Sequence, residues 1–358
     1  MASALRSSLS TATSIFFAVR FISIFVLLLF SYCFWILLDG FVLRGFLALI
    51  PALFAAQLFL NDILESYLTF QLNRRSKWFT LMIAPGTILH ELCHLFAAVV
   101  TGCRILDVSL FRRNPKTNVL GYVSYSQRKD KWTVFRDLFI GFAPFFGCGL
   151  MLLVIFGVIE EYTSLDLVKA PELDLDFKSL SELAVFFKDI TGSFLAQFAL
   201  LTVYPLLWIL LYLELCFSLG SAPSSQDFKG VVHSIFWHPI SGFFLLALFG
   251  GFFYLVENPG VFGIYESVFL RAVTQLFSVI ILILVASVVM LILSIPLIYF
   301  VPELAEIRGV TKYIPPIIFL VIYYTINNPI YAAGGFIISF VVVKYPGFYL
   351  EPKTKRKK

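Results

Sequence analysis

Long apolar runs, separated by shorter polar connections, dominate the sequence. A run needs about 20 residues to span the roughly 30 Å hydrocarbon layer of a bilayer as an α-helix. The pattern therefore predicts an α-helical polytopic membrane protein with about eight membrane segments. The runs lie at about 14–38, 41–60, 79–101, 134–158, 193–218, 240–256, 272–300 and 314–343.

The composition supports this class and argues against others. Of the 358 residues, 59% are hydrophobic and only 14% are charged, which is too little charge to cover a soluble domain of this length. The five cysteines lie in or beside apolar runs and do not form a disulfide framework. The net charge of +5 comes largely from the tail KTKRKK, residues 353–358, which predicts a cytoplasmic end beside anionic lipid. We expect no nucleic-acid binding, because the sequence offers no basic folded domain.

Four of the polar connections between these runs carry further information. The first, about 61–78, predicts a short interfacial helix. The second, about 102–133, alternates apolar and polar residues with period two on both sides of RNPKTN, which predicts a β-hairpin at about 105–125. The third, about 159–192, is acidic, and the fourth, about 219–239, is polar and rich in helix breakers.

The charges of these connections give conflicting indications of topology. The basic second connection and the acidic third one predict opposite sides of the membrane. The first connection is also basic, although the run at 79–101 separates it from the second connection. If every later run crosses once, the basic tail ends outside the cell. A late run that is broken or re-entrant, for example at INNPIYAAGG (residues 326–335), would return the tail to the cytoplasmic side.

Two histidines and a glutamate lie inside an apolar run, in PGTILHELCHLFAAVVTG (residues 85–102). On a helix, His90 and His94 project from one face one turn apart, so both imidazoles can reach one zinc ion at about 2.0–2.1 Å. Glu91 follows the first histidine, where it can act as general base on a water that zinc activates. Ionisable residues in such apolar sequence are costly and mark function. The simpler alternative is a pair of buried histidines satisfied by neighbouring carbonyls.

A catalytic zinc site needs a third protein ligand and an open position. The metzincin class of zinc proteases is excluded, because it needs a third histidine ligand six residues after the second, and Val100 occupies that position here. Asp227 is one candidate, since it lies among Ser, Pro and Gly where unwound backbone can line a cavity; an ordinary helix cap is its alternative role. Other candidates are Glu214 within an apolar run, Glu160 and Glu161 beside the acidic connection, and His233 and His238 beside aromatic residues.

The order of these segments resembles the site-two protease family of intramembrane zinc metalloproteases. The resemblance covers about 80–235: the His-Glu-x-x-His helix, a β-hairpin, a helix with GFAPFFGCG, and a small-residue segment ending in an aspartate. It implies zinc ligands at His90, His94 and Asp227 and a general base at Glu91. In that family a glycine usually follows the aspartate, whereas Phe-Lys-Gly follows it here.

These features predict an intramembrane zinc metalloprotease whose partners are membrane-protein substrates and the lipid bilayer. The expected parts are N-terminal membrane helices with an interfacial segment (1–78), a metalloprotease-like core with the hairpin (79–239), and C-terminal membrane helices with the basic tail (240–358). Two alternatives stay open: a membrane gluzincin with a glutamate as third ligand, and a non-enzymatic transporter or scaffold. The oligomeric state does not follow from the sequence.

Overall fold

The computed structural model describes most of the predicted membrane segments. The described residues are 21–38, 41, 44–74, 77–111, 121–128, 130–163, 203–222, 225–307, 309–326 and 328–345, with scattered positions between 185 and 201. The RNPKTN turn, most of the acidic connection and the basic tail lie outside the described residues.

Apolar α-helices account for most of the described chain, as the hydrophobic runs predict. Short 3-10 turns at Pro259–Tyr265 and Val310–Tyr313 precede the eighth and ninth helices. In chain order the helices whose bounds the structure describes are α1 (Phe21–Leu37), α2 (Arg44–Arg74), α3 (Lys77–Val100), α4 (Thr133–Thr163), α5 (Leu207–Ser221), α6 (Ser225–Trp237), α7 (Pro239–Glu257), α8 (Glu266–Glu306), α9 (Ile314–Ile326) and α10 (Pro329–Lys344).

Helix α8 lies at the centre of the bundle, because its middle turns are apolar on every side. Ile281, Leu284, Val285 and Met290 are almost completely buried, and α8 packs on α2 and on α5. Helix α4 in turn packs on α3, α5 and α6. The helix that carries the His-Glu-x-x-His motif, α3, is therefore held between α4 and α5.

Helices α3 and α5 touch backbone to backbone. Gly86 on α3 lies directly against the carbonyl oxygen of Cys216 on α5, where a Cβ atom would overlap it. Small residues permit this kind of close approach between membrane helices. The contact brings the last turn of α5 beside the motif.

The predicted hairpin is present. Strands β1 (Arg104–Ser109) and β2 (Tyr122–Ser126) pair antiparallel, with Val108 opposite Val123 and an irregularity between Ile105 and Asp107. Gly102, with φ of 73°, ends α3 in the left-handed conformation that glycine adopts without strain. Both strands contact α3, so the hairpin folds back over the helix that precedes it.

Five described segments are long and apolar enough to cross a membrane: Arg44–Leu64, Ile83–Val100, Thr133–Thr163, Pro239–Glu257 and Pro259–Phe300. The expected count of about eight is not confirmed. Helices α1, α5, α9 and α10 are apolar but shorter. A helix of 15 residues such as α5 rises only about 22 Å, which is less than the hydrocarbon thickness.

The connections differ from expectation in two places and agree in a third. No separate interfacial helix precedes Arg74, because α2 continues to that residue. Within the fourth connection, Ser225–Trp237 forms a helix. The last run is interrupted before Pro329 as expected, since proline disfavours helix at the preceding residue. Helices α9 and α10 pack on each other, with the rings of Phe319 and Phe336 6.5 Å apart. The three-part division of the chain stays a prediction.

Candidate metal centre

Three side chains that are distant in sequence converge at one point. The Nε2 atoms of His90 and His94, one turn apart on α3, lie 3.1 Å from each other. Asp227 on α6 places Oδ2 3.5 Å from Nε2 of His90 and Oδ1 3.3 Å from Nε2 of His94. Among the described residues, these three form a group whose ligand atoms all lie within 4.8 Å of one another. The structure thus brings together the residues that the sequence marks as a metal set.

The outer nitrogen of each imidazole is held by a backbone carbonyl. Nδ1 of His90 lies 2.7 Å from the carbonyl oxygen of Gly220, and Nδ1 of His94 lies 2.9 Å from that of Ile140. A carbonyl oxygen can only accept a hydrogen bond, so both Nδ1 atoms must donate. In the neutral rings, Nε2 then carries a lone pair that is directed into the cluster. Metal-binding histidines are characteristically oriented in this way.

The helices supply these two carbonyls because each lacks its usual helical donor. Ile140 lies four residues before Pro144 in α4, and proline has no amide hydrogen to give to that carbonyl. Gly220 is the penultimate residue of α5, and the last four carbonyls of a helix have no partner within it. The proline in α4 and the end of α5 therefore each leave one carbonyl oxygen free to accept a hydrogen bond from a histidine of α3.

Three acceptors consequently face one another at hydrogen-bond distance. Two lone pairs and a carboxylate repel unless a cation, either a metal ion or protons on the rings, lies among them. A tetrahedral zinc ion with bonds of about 2.0–2.1 Å would place its ligands about 3.3–3.4 Å apart. The observed separations of 3.1, 3.3 and 3.5 Å lie on both sides of this value. The donor set and its spacing fit such an ion.

Asp227 lies in the first turn of a helix rather than in unwound backbone. Helix α6 begins at Ser225, and a carboxylate in the first turn is favoured by the helix dipole. Burial by itself raises the pKa of the Asp227 carboxyl, but when the rings of His90 and His94 are protonated, their hydrogen bonds and positive charge outweigh burial and hold that pKa well below its usual range. The carboxyl is therefore ionised, as a metal ligand must be.

Glu91 lies beside this cluster and beneath the hairpin. Its side chain is 8% exposed, and its charge interacts with His90, His94 and Asp227. A Cβ atom at Gly121, which directly precedes β2, would lie 2.6 Å from Cγ of Glu91 and 2.9 Å from the carbonyl oxygen of Leu110. The hairpin backbone therefore closes over the carboxylate, a contact that the sequence did not reveal.

The other acidic candidates lie apart from the cluster. Glu214 on α5 is fully buried, and neither of its carboxyl oxygens has a hydrogen-bond partner in the described part of the chain. Glu160 and Glu161 are in the last turn of α4. None of these three belongs to the group of converging ligand atoms. The glutamate-ligand arrangement of a gluzincin thus has no geometric support among the described residues.

The chain was compared with known proteins at three levels. No protein-family model, curated protein or solved structure matches it. The resemblance to site-two proteases accordingly rests on the motif and the order of elements in this chain.

Proposed function

We propose that the chain is an intramembrane zinc metalloprotease that cleaves peptide bonds of membrane-embedded substrates. The observation that carries the proposal is the convergence of His90, His94 and Asp227, with both imidazoles held by carbonyls so that their lone pairs face the carboxylate. A buried glutamate directly after the first histidine adds the proton acceptor that hydrolysis requires.

Each residue has a defined part in this proposal. His90, His94 and Asp227 hold the zinc, which when bound lowers the pKa of water and polarises the substrate carbonyl. Glu91 takes a proton from the attacking water and returns it to the leaving amine. The carbonyls of Gly220 and Ile140 fix the ring orientations. Because the site lies among apolar helices, a substrate helix must be partly unwound there to offer its carbonyl.

The hairpin is the proposed receiver of the unwound substrate. Its two strands each have an outer edge in the described sheet, and its backbone at Gly121 contacts Glu91. A strand added to such an edge would gain main-chain hydrogen bonds close to the general base. Proline substitutions within β1 or β2 that leave the cleavage of a model substrate unchanged would contradict this role.

The proposed setting is a lipid bilayer crossed several times by the chain. Five described segments are long and apolar enough for this. The basic tail at 353–358 suits the cytoplasmic side, because lysine and arginine concentrate there.

The decisive experiment compares wild type with Glu91→Gln in liposomes that also contain a library of transmembrane segments. We expect peptide cleavage, read by mass spectrometry, to fall by about 100-fold or more in the variant while bound zinc stays at one per chain. Glu161→Gln, a glutamate at the end of α4 outside the cluster, is the matched control and should cleave normally. A Glu91→Gln protein with full activity, or a zinc-loaded wild type that cleaves nothing, would reject the protease and leave a transporter or scaffold.

A further inference from the structure

A second polar feature of the molecule lies one helical turn from the metal centre. An open pocket of about 720 Å³ is bounded by the end of the hairpin, the first turns of α4, helix α6 and the residue before α7. Its walls include Gln127, Asp137, Gly230, Ser234 and Trp237. Nothing in the proposed hydrolytic chemistry uses this pocket.

The pocket and the metal centre share two helices. Asp137 lies one turn before Ile140, the residue whose carbonyl holds His94. Gly230 lies one turn after Asp227 on α6. One turn of an α-helix advances about 5.4 Å, so a peptide bound at the metal centre needs only one or two residues to reach the pocket.

Tyr125 on β2 connects the two places. Its hydroxyl lies 3.5 Å from Oδ1 of Asp137, and the charge of Asp227 also acts on it. Burial raises the pKa of the Tyr125 phenol well above its usual value, and the charge of Asp137 raises it further. The phenol therefore stays protonated, as a hydrogen-bond donor to the carboxylate.

The pocket offers acceptors that the protein leaves unused. Nε2 of Gln127 donates to Oδ1 of Asp137 at 2.7 Å. A carboxylate accepts only from the nitrogen end of an amide, so this bond fixes the orientation of Gln127. Its oxygen, Oε1, is then a buried acceptor without a partner among the described residues. The hydroxyl of Ser234, a residue only 4% exposed, likewise has no partner within the described chain. Unsatisfied buried polar atoms are costly, so a ligand in the pocket would gain these two hydrogen bonds once the side chains rotate towards it.

The charges of the pocket select the kind of ligand. Asp137 is the one carboxylate among the described lining residues, and no lysine or arginine lines the pocket there. The imidazoles of His233 and His238 also line it, and in their neutral form each adds a further acceptor nitrogen. The nearby Arg136 is occupied by both oxygens of Asp130, at 3.0 Å each. The indole of Trp237 adds an aromatic face, which attracts cations. The hydrogen-bond acceptors, the single carboxylate and the aromatic ring of this pocket together suit a cation that carries several hydrogen-bond donors.

We propose that this pocket binds a basic side chain, arginine or lysine, of the substrate at the edge of its transmembrane segment. The proposal rests on the proposed proteolytic function, and it names the substrate class: membrane segments with a basic residue just outside the apolar stretch, on the hairpin side. Membrane proteins commonly carry lysine and arginine next to their spans. The pocket would set the register in which the unwound segment crosses the metal centre.

Binding to the uncleaving Glu91→Gln protein tests this without measuring hydrolysis. Fluorescent transmembrane peptides carry Arg, Gln or Glu at each of the first five positions beyond the apolar stretch. At one position or more, we expect the Arg peptide to bind at least 10-fold more tightly than the Gln peptide. Adding Asp137→Asn should reduce that preference to less than twofold, with zinc content and affinity for the Gln peptide unchanged. Glu161→Gln, which removes a carboxylate in the last turn of α4, away from the pocket, should keep the full preference.

Equal affinity for Arg and Gln peptides at all five positions would overturn the proposal, and so would a preference that survives Asp137→Asn. If Asp137→Asn loses its zinc, Gln127→Leu and Ser234→Ala replace it, and the preference must fall at least threefold in each. These outcomes bear on the pocket alone. An absence of cleavage by the zinc-loaded wild type bears on the protease, whether or not basic peptides bind.

Discussion

The Nδ1 atom of His94 lies 2.9 Å from the carbonyl oxygen of Ile140, which Pro144 leaves without its helical donor. The proline thus acts on the metal centre from one turn away, through the backbone of α4. Replacing it with alanine would restore an amide hydrogen that competes for the same carbonyl. We expect Pro144→Ala to weaken zinc affinity by about 10- to 100-fold, the usual effect of losing an outer partner of a histidine ligand.

This effect is measured by competition with a chromophoric chelator. Pro51→Ala, a substitution at the proline within α2, is the control and should leave zinc affinity unchanged. An unchanged affinity in Pro144→Ala would show that the Ile140 carbonyl does not orient His94.

Zinc stoichiometry tests the ligand set directly. Removing one of three protein ligands leaves two, so we expect about one zinc per chain in wild type and almost none in His94→Ala or Asp227→Ala. Metal is counted by mass spectrometry on protein purified in detergent. Glu214→Gln is the matched acidic control and should keep its zinc. Wild type without zinc would mean that protons on the imidazoles neutralise the cluster.

Glu214 itself gives a stability prediction. A fully buried carboxyl without a partner among the described residues costs free energy that an apolar side chain of similar size avoids. We expect Glu214→Leu to raise the midpoint of thermal unfolding, while Ile283→Ala, which opens a cavity in the same core, should lower it. A lower midpoint in Glu214→Leu would indicate that the carboxyl has an essential partner.

The contact between Gly121 and Glu91 predicts an activity change with little effect on the metal. A methyl group at position 121 would collide with Cγ of Glu91 and with the Leu110 carbonyl. Under the proposed function, Gly121→Ala should lower kcat at least 10-fold with zinc content intact, because general bases act only within hydrogen-bond reach. Gly250→Ala, at a site with no neighbour within 4 Å, should have normal kcat. Equal kcat in both variants would refute the contact.

Close packing of α3 on α5 predicts a loss of stability at Gly86. The added methyl group of Gly86→Ala meets a backbone carbonyl, which cannot rotate away as a side chain would. We expect a loss of about 1–3 kcal/mol, as in other overpacked cores. Gly157→Ala on α4, where the methyl group meets nothing within 4 Å, should be neutral or stabilising. Denaturation in mixed micelles compares the two variants, and equal stability would contradict the packing.

The sequence predicted the parts of the fold that local pattern determines. Apolar runs located most of the described helices, although α6 lies in a polar connection. Period-two alternation located the hairpin to within one residue at each end. The first and last residues of the helices were harder to predict, because hydropathy marks apolar segments and not the ends of helices. Helix α2 continues through polar residues to Arg74, and α5 is described only from Leu207.

The candidate site could be anticipated in its side chains but not in its backbone. Motif spacing singled out His90, His94 and Glu91, and the resemblance to site-two proteases selected Asp227 over Glu214. The carbonyls of Gly220 and Ile140 carry no side-chain signal. Pro144 was the available clue, since a proline inside a helix always frees the carbonyl four residues earlier. The pocket at Asp137 depends on how the hairpin meets α6, which no local pattern encodes.

The unequal lengths of α5 and α8 bear on how the surrounding lipid is arranged. With 41 residues, α8 rises about 60 Å, whereas α5 rises about 22 Å beside it. One helix therefore exceeds the hydrocarbon thickness and its neighbour falls short of it. Such hydrophobic mismatch is relieved by helix tilt and by local thinning of the bilayer. Thinning at the end of α5, where Gly220 holds His90, would admit water to the cluster from the membrane surface without a dedicated channel.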